Sequence, residues 1–430
     1  MTRIAAWQPA TRKTAIEDSS LKIYRVGGAI RDRLLGLPHQ DSDWVVVGAT
    51  AQEMIDQGYR PVGKYFPVFL HPETFEEYAL ARTERKTGPG YKGFEVHAAP
   101  DVTLEDDLKR RDLTINAIAE SEDGQLIDPY GGQKDIEQRI LRHISPAFAE
   151  DPVRILRVAR LATRLAPLGF TIAGETMTLM KNMVAAGEVD ALTAERVWTE
   201  MNRALGEERP TRFIEVLRQC DALGRLFPEI EALFGVPQRK DYHPEVDSGV
   251  HTMMVLERAA QLSGDVEIRF AALVHDLGKG TTPKDQWPRH EGHEERSVDL
   301  IKNLCKRYRI PNEFRDLAVI VARYHSHCHR LAELRPGTIL QTLEALDAFR
   351  RPQRFKQFLV ACKADSQGRL GQENNPYPQA AWFSRAFEVA RNVGTAALLQ
   401  AGLQGEKLGE ILHQKRVEAI ARALQPVDKK

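Results

Sequence analysis

Lys22-Ile23-Tyr24-Arg25-Val26-Gly27-Gly28-Ala29-Ile30-Arg31-Asp32, followed after a short loop by Asp41-Ser42-Asp43-Trp44-Val45-Val46-Val47, is the stretch that decides the fold. Residues 22–26 read as a strand, Gly27-Gly28 as a tight turn, 29–35 as a helix opening and 44–47 as a second, apolar strand. On a strand, side chains at i and i+2 share a face, so Asp41 and Asp43 project together. Two carboxylates that close repel each other unless a cation lies between them. Oxygen ligands of this kind suit Mg²⁺, commonly held by one or two carboxylates together with substrate phosphates. A glycine turn entering a helix presents backbone N–H groups to a phosphate, and Arg31 adds a cation. This is the equipment of phosphoryl or nucleotidyl transfer by a two-metal route. An isolated D-x-D is usually a solvated strand end. The order strand, Gly-Gly, helix, loop with Pro38 and acidic strand carries the reading.

The chain of 430 residues has room for two to four domains. Its 60 basic and 60 acidic residues cancel, so a nucleic-acid partner has to be met by a local basic surface. Cys220, Cys305, Cys328 and Cys362 form no CxxC pair, which predicts reduced thiols in a cytoplasmic protein. No apolar run approaches the roughly 18–20 residues of a membrane span. Residues 1–20 lack the apolar core of a signal peptide and read as a disordered extension or as sequence upstream of the true start.

The character of the chain changes after about residue 145. Residues 21–145 alternate short strands and helices, with strands expected at 44–47, 68–71, 77–82 and 94–97. A hairpin of 115–119 and 125–127 is expected across Glu122-Asp123-Gly124. This predicts an α+β domain with a small sheet. Strand signals then fade, and 152–165, 176–186, 194–205 and 211–219 carry helical periodicity. Breaks at 224–228 and 234–237 precede a helical block over 247–330, and the last eighty residues are helical again. The expected divisions are 21–145, 146–240, 241–349 and 350–430, all-α after the first.

Asp151-Pro152 reads as a helix start, with Asp151 as N-cap and Pro152 in the first turn. Arg154, Arg157, Arg160 and Arg164 then fall in a stripe about 120° wide at 100° per residue. Stacked like charges repel unless an anion faces them. A solvated face is the plain alternative, but beside a two-metal motif a triphosphate or RNA backbone is the more economical partner. Residues 109–111 and 82–86 supply two further basic clusters, and Gly88-Pro89-Gly90 predicts a mobile loop.

Val26-Gly27-Gly28-Ala29-Ile30-Arg31-Asp32, Asp41-x-Asp43, the 110–116 run Arg-Arg-Asp-Leu-Thr-Ile-Asn and Glu150-Asp151-x-x-Arg154 occur in that order. Together they resemble the bacterial class II tRNA nucleotidyltransferases, the CCA-adding enzymes of the polymerase-β superfamily, over nearly the whole chain after residue 20. The resemblance implies a nucleotidyltransferase head with a small mixed β-sheet, then helical neck, body and tail. It implies addition of the 3′-terminal CCA of tRNA from CTP and ATP, by a monomer or homodimer. Asp41 and Asp43 would hold Mg²⁺ as the catalytic pair, and Gly28, Arg31 and Arg111 would contact the nucleotide. Asp151 and Arg154 match side chains that read the incoming base, and Arg157 and Arg160 match further nucleotide contacts. A carboxylate accepting from an exocyclic amine and a guanidinium donating to a ring acceptor suit CTP and ATP, and oppose UTP and GTP.

A second constellation comprises His251, the pair His275-Asp276 within Leu-Val-His-Asp-Leu-Gly-Lys-Gly, then His290, His293, His325 and Asp365. Imidazole with carboxylate on helices suits first-row transition metals as readily as Mg²⁺. The H…HD…D order resembles the HD phosphohydrolase superfamily. That resemblance implies a divalent metal, such as Ni²⁺, on His251, His275, Asp276 and Asp365, with His275 and Asp276 catalytic. It also implies phosphatase, 2′-nucleotidase and 2′,3′-cyclic phosphodiesterase activity. The resemblance implies a second His-Asp pair where this chain has His325-Ser326, a departure that puts a contribution from that position in question. The run 325–329 (His-Ser-His-Cys-His) should not form a zinc site, since its side chains do not converge from one helix. The alternatives are a bacterial poly(A) polymerase and a CCA enzyme whose HD bundle is purely structural.

Overall fold

The computed structural model describes residues 21–38, 42–62, 67–86, 94–241, 243–400 and 404–424. The described residues up to Gln138, with Arg142–Phe148, form one compact unit; Arg139–Leu141 and those from Ala149 onward form a second.

The first unit runs β1 (Lys22–Val26), α1 (Gly28–Leu34), β2 (Asp43–Val47), α2 (Ala51–Asp56), β3 (Arg60–Pro61), β4 (Val68–Leu70) and β5 (Glu77–Leu80). It continues with β6 (Thr83–Lys86), β7 (Phe94–His97), α3 (Leu104–Lys109), β8 (Ala119–Glu120), β9 (Leu126–Ile127) and α4 (Gly132–Gln138). Seven strands form one sheet in the order β3-β4-β5-β2-β1-β8-β9, while β6 and β7 pair separately. The sheet is mixed, because β2 and β5 are parallel and the other pairs antiparallel.

Central β2 is buried on both faces, which is why its sequence is a continuous apolar run and not an alternation. Val45 packs with Val26, Leu104, Leu108 and Ala119; Val46 packs on the opposite side with Met54, Tyr59, Phe69 and Leu80. Pairing of β1 with β2 sets Val26 opposite Asp43, so the Gly27 turn emerges beside the start of the acidic strand. That register positions the site of this unit.

Three details depart from the sequence reading. Residues 83–86, read as a basic cluster, form a strand with 94–97. The strand expected over 77–82 stops at Leu80. The first hairpin strand is shorter than expected because Thr114–Asn116 turns into a 3-10 helix. There the Thr114 N–H donates to the Arg142 carbonyl (2.9 Å) and its hydroxyl to Asp135 (2.7 Å). Asp41 and the Gly88-Pro89-Gly90 loop lie outside the described residues.

The second unit opens with β10 (Ile140–Leu141), α5 (Val153–Arg164) and β11 (Thr171–Ile172), the two strands pairing in parallel. Then come α6 (Gly174–Ala185), α7 (Ala194–Leu205), α8 (Thr211–Gln219), α9 (Ala222–Leu226) and α10 (Pro228–Glu231), so the 224–228 break lies within two short helices. The block α11 (Ser248–Leu262), α12 (Val266–Val274), α13 (His293–Tyr308) and α14 (Asn312–His329) follows. The chain continues with α15 (Pro336–Ala345), α16 (Pro352–Gln367), α17 (Pro378–Arg391), α18 (Ala396–Gln400) and α19 (Gly405–Leu424). Helix α5 buries Ile155, Leu156, Val158, Ala159, Leu161 and Ala162 and packs against α7 and α8, while its arginines are less buried and Arg157 is exposed. All four cysteines are free and buried. Among the described residues no helix is long and apolar enough to cross a membrane.

Candidate functional site

In the first unit the decisive feature is a turn without side chains. Gly27 has φ +78°, and a Cβ there would lie 3.0 Å from Arg111 Nη1 and 3.7 Å from Asp43 Oδ2. A glycine therefore allows the conformation and keeps open a space bordered by a carboxylate and a guanidinium. Arg31 is buried: its Nε donates to Asp32 Oδ1 (2.8 Å) and its Nη1 to Asn116 Oδ1 (2.6 Å). Asn116 in turn donates to Asp112 Oδ1 at 2.9 Å. Arg111 Nη2 donates to Asp107 Oδ2 (3.3 Å), while its Nε is buried without a hydrogen-bond partner. Burial alone would raise the Asp107 pKa, but the Arg110 and Arg111 charges outweigh it and hold the carboxyl below its usual range. Helix α1 has only seven residues and no side-chain cap, so its dipole is modest and the open turn matters more. Asp43 is exposed at the head of β2. A hard-cation donor beside an open turn fits Mg²⁺ and phosphate.

In the second unit Asp151 and one member of the arginine stripe, Arg160, are held from α7. Asp151 Oδ1 accepts from the Val153 N–H at 3.2 Å, so the carboxylate caps α5 although the helix begins one residue later than expected. Arg196 grips the same carboxylate with both terminal nitrogens, at 3.0 and 2.5 Å. One turn along α7, buried Glu200 pairs with Arg160. Arg154 and Arg164 are half-buried and Arg157 exposed.

The histidine cluster is drawn from five helical elements. His251 comes from α11, His275-Asp276 follow the last residue of α12, and His293 opens α13. His325 and His329 lie on the last turns of α14, and Asp365 on α16. Gly278 lets the chain after Asp276 approach α13, since a Cβ there would lie 2.1 Å from the His293 carbonyl oxygen. His251 Nε2 and His275 Nε2 lie 3.2 and 3.8 Å from Asp365 Oδ1. His293 Nε2 and His325 Nε2 lie 3.3 and 3.6 Å from Asp276 Oδ1. Two trios result around the aspartates, His251/His275/Asp365 and Asp276/His293/His325, and a third group, His243/Glu245/His251, adjoins the first. Tetrahedral ligands about 2.0–2.1 Å from a metal lie about 3.3 Å from one another, so both spacings fit an ion. His275 Nε2 and Asp276 Oδ1 are buried without a hydrogen-bond partner, as expected of metal ligands.

The outer contacts fix which ring nitrogen faces inward. Nδ1 of His275, His293 and His325 lies 2.8, 2.9 and 3.0 Å from the carbonyls of Ala272, His290 and Val321. Donation there holds the proton on Nδ1 and leaves the Nε2 lone pair for a ligand bond. Glu245 Oε1 approaches His251 Nδ1 at 2.9 Å and His243 Nδ1 at 3.1 Å. Lys279 Nζ lies 2.5 Å from both Asp276 Oδ2 and Gln238 Oε1. Burial pushes His325 down to about 3, so it stays neutral. Burial also opposes charge on His275, but the Asp276 and Asp365 carboxylates prevail and raise its pKa.

All four HD positions expected from the sequence converge here. His325, left out because Ser326 replaces an aspartate, joins them; Ser326 donates instead to Glu294 at 3.0 Å. His293, part of the sequence constellation but not of the expected ligand set, joins as well, and Glu245 was not singled out. Within 325–329, His327 turns away to Thr342, consistent with no single-helix zinc site.

Comparison with known proteins gives three family matches: a poly(A) polymerase head domain over 23–142, a probable RNA and SrmB-binding site of polymerase A over 169–234, and an HD domain over 249–351. A multifunctional CCA protein of Thioalkalivibrio sulfidiphilus is 65% identical over 400 residues, covering 93% of this chain and 98% of the relative. One from Nitrosococcus oceani is 62% identical over 404 residues, covering 94% and 99%. Among solved structures, a CCA-adding enzyme with ATP aligns with TM-score 0.64 at 20% identity, over 93% of this chain and 86% of that one. The Thermotoga maritima CCA-adding enzyme complexed with tRNA_CCA aligns with TM-score 0.59 at 20% identity, over 94% and 91%. At that identity the likeness concerns the fold.

Proposed function

Because this chain belongs to the family of multifunctional CCA proteins, we infer that it adds and repairs the 3′-terminal CCA of tRNA from CTP and ATP, and that its HD centre hydrolyses phosphate esters. The observation that carries the first activity is the approach of Asp43 and Arg111 to the open turn at Gly27. Asp41 and Asp43 would hold Mg²⁺, which when bound neutralises phosphate charge and makes the attacking hydroxyl more acidic. Gly28 admits the triphosphate close to the backbone, and Arg31 and Arg111 offset its charge. Asp151 accepts from the exocyclic amine of cytosine or adenine and Arg154 donates to the ring acceptor. Arg157 and Arg160 serve the nucleotide from the same stripe.

In the HD centre His251, His275, Asp276 and Asp365 would hold a divalent metal such as Ni²⁺, which supplies Lewis-acid polarisation and an acidified water. The inward Nε2 atoms support this. Lys279, buried against Asp276, orients that carboxylate. We place both activities in the cytoplasm.

The test supplies tRNA lacking its 3′ end with labelled CTP or ATP, singly and together. Addition that stops after CCA supports the reading; an unending adenylate tail would make the chain a poly(A) polymerase. The second assay follows 2′,3′-cyclic AMP with Ni²⁺, Co²⁺, Mn²⁺ and Mg²⁺. Absence of hydrolysis with every ion would leave the HD bundle a structural element.

A further inference from the structure

We propose that the cleft between α13, α14 and the start of α16 docks the phosphodiester backbone of the RNA substrate. The cleft holds about 670 Å³ and is lined by the HD stretch, with Arg354 from just beyond it, apart from the segment matched by the RNA-binding family model. Its walls carry Lys302, Lys306, Arg315 and Arg354 against one acid, Asp316. In a chain whose charges cancel overall, a four-to-one wall is a local basic surface of the kind RNA requires.

The ion pairs do not neutralise it. Asp316 is shared by Arg315 (2.8 Å), Arg351 (3.8 Å) and Arg354 (3.9 Å). Neighbouring Asp347 is shared by Arg350 (2.7 Å), Arg351 (3.6 Å) and Arg354 (3.8 Å). Four guanidiniums therefore divide two carboxylates, and two lysines add further positive charge. The Arg354 Nε is buried without a hydrogen-bond partner. Burial first, then the Arg351 charge, holds the Arg354 pKa below its ordinary value, although Asp316 and Asp347 act the other way. Cys305 on the wall contributes no charge, because burial pushes its thiol up to about 12.

The shape suits a strand of phosphates better than a compact anion. Lys302 and Lys306 are exposed and one helical turn apart on α13, so their ammonium groups follow one another along the cleft. Ile310 and Ile320 give an apolar wall for sugar faces. Helix α13 also begins at His293, a member of the metal cluster. At 1.5 Å per residue, Lys302 stands about 14 Å and Lys306 about 20 Å along that helix from it. RNA docked in the cleft is thus held a few nucleotides from the HD centre by one rigid element.

This inference rests on tRNA being the substrate, and the experiment separates the two claims. Binding of tRNA lacking its 3′ end is measured by fluorescence anisotropy over a salt series, for wild type and Lys302→Gln/Lys306→Gln. Each lost phosphate contact lowers the slope of log K against log salt by about 0.9, so the double variant should fall by about 1–2 with weaker binding. Lys302→Arg/Lys306→Arg should restore the slope, while Lys22→Gln/Lys134→Gln, with the same charge change on exposed head residues, should leave it near wild type. Unchanged affinity and slope in the cleft variant overturn the proposal, as does an equal shift in the head control. Loss of AMP binding with intact tRNA binding would make the cleft a mononucleotide site and also overturn it. A wild type that binds no tRNA at any salt would remove the functional reading itself.

Discussion

Arg196→Ala should relax nucleotide selection without touching the nucleotide. A carboxylate offers about four acceptor positions. Asp151 spends three of them, two on the Arg196 nitrogens at 3.0 and 2.5 Å and one on the Val153 N–H at 3.2 Å. One remains for the exocyclic amine of cytosine or adenine, and the two-point grip of Arg196 sets its direction. Truncation leaves the backbone bond alone to orient the carboxylate. A base-edge contact discriminates by about 1–3 kcal/mol. Losing alignment while keeping the carboxylate should cost about half of that, or roughly two- to thirteenfold in the CTP-over-UTP ratio of kcat/KM. The pair is partly exposed, at 26% for Arg196 and 19% for Asp151, so stability should fall only by about 0.5–1.5 kcal/mol. Arg196→Lys, which cannot make the two-point contact, should fall between. The assay is single-nucleotide addition with CTP and with UTP on tRNA ending one step short. The reasoning is refuted if Arg196→Ala keeps the wild-type ratio while Arg154→Ala loses it.

Asp43→Asn, like Asp41→Asn, should abolish nucleotide addition with little change in melting temperature, because the Asp43 side chain is exposed and volume is preserved; near-normal incorporation would remove the pair from the mechanism. His275→Ala/Asp276→Ala should spare addition and lose metal-stimulated hydrolysis of 2′,3′-cyclic AMP. Removing Asp276 strands the buried Lys279 ammonium 2.5 Å away, at a cost of about 3–5 kcal/mol. Adding Lys279→Met should recover part of that in a denaturant titration. Glu245→Gln weakens the outer contact to His251 and should reduce metal affinity about 10–100-fold by calorimetry; wild-type affinity would show that Glu245 does not orient the ring.

The parts of this molecule legible in its sequence are those written in local chemistry. Gly27-Gly28 between an alternating strand and a helix could only be a turn, and the unbroken apolar run 44–47 marked a strand buried on both faces. The strand 83–86 was hidden because Thr-Glu-Arg-Lys has no apolar alternation and only one β-former, Thr83, and its pairing with 94–97 is tertiary. The basic run 109–111 also misled in part. Arg110 is spent on wholly buried Asp107, an ion pair no spacing rule reveals. In the HD centre the missing members share one difficulty. His293 and Glu245 are brought in by packing between helices, not by a motif. His325 and His329 did carry a signal, since i and i+4 lie on one helical face, but Ser326 in place of an aspartate masks it.

The two proposed chemistries ask opposite things of their surroundings, and the structure differs accordingly. A transferase must admit a triphosphate and an RNA end together, so its carboxylate stands exposed at a strand tip beside a turn stripped of side chains. The histidine cluster is closed by comparison: the side chains of His251, His275 and Asp276 are at most 2% exposed. Exposure rises to 15% at His293 and 18% at His329. These two rings are more exposed than the buried ligands behind them, so a phosphate can approach from their side. A terminal or cyclic phosphate can present itself through such an opening, whereas an internal phosphodiester would have to bring both flanking sugars with it. The burial gradient therefore favours RNA ends and mononucleotides as HD substrates, and intact RNA should resist hydrolysis even at high metal concentration.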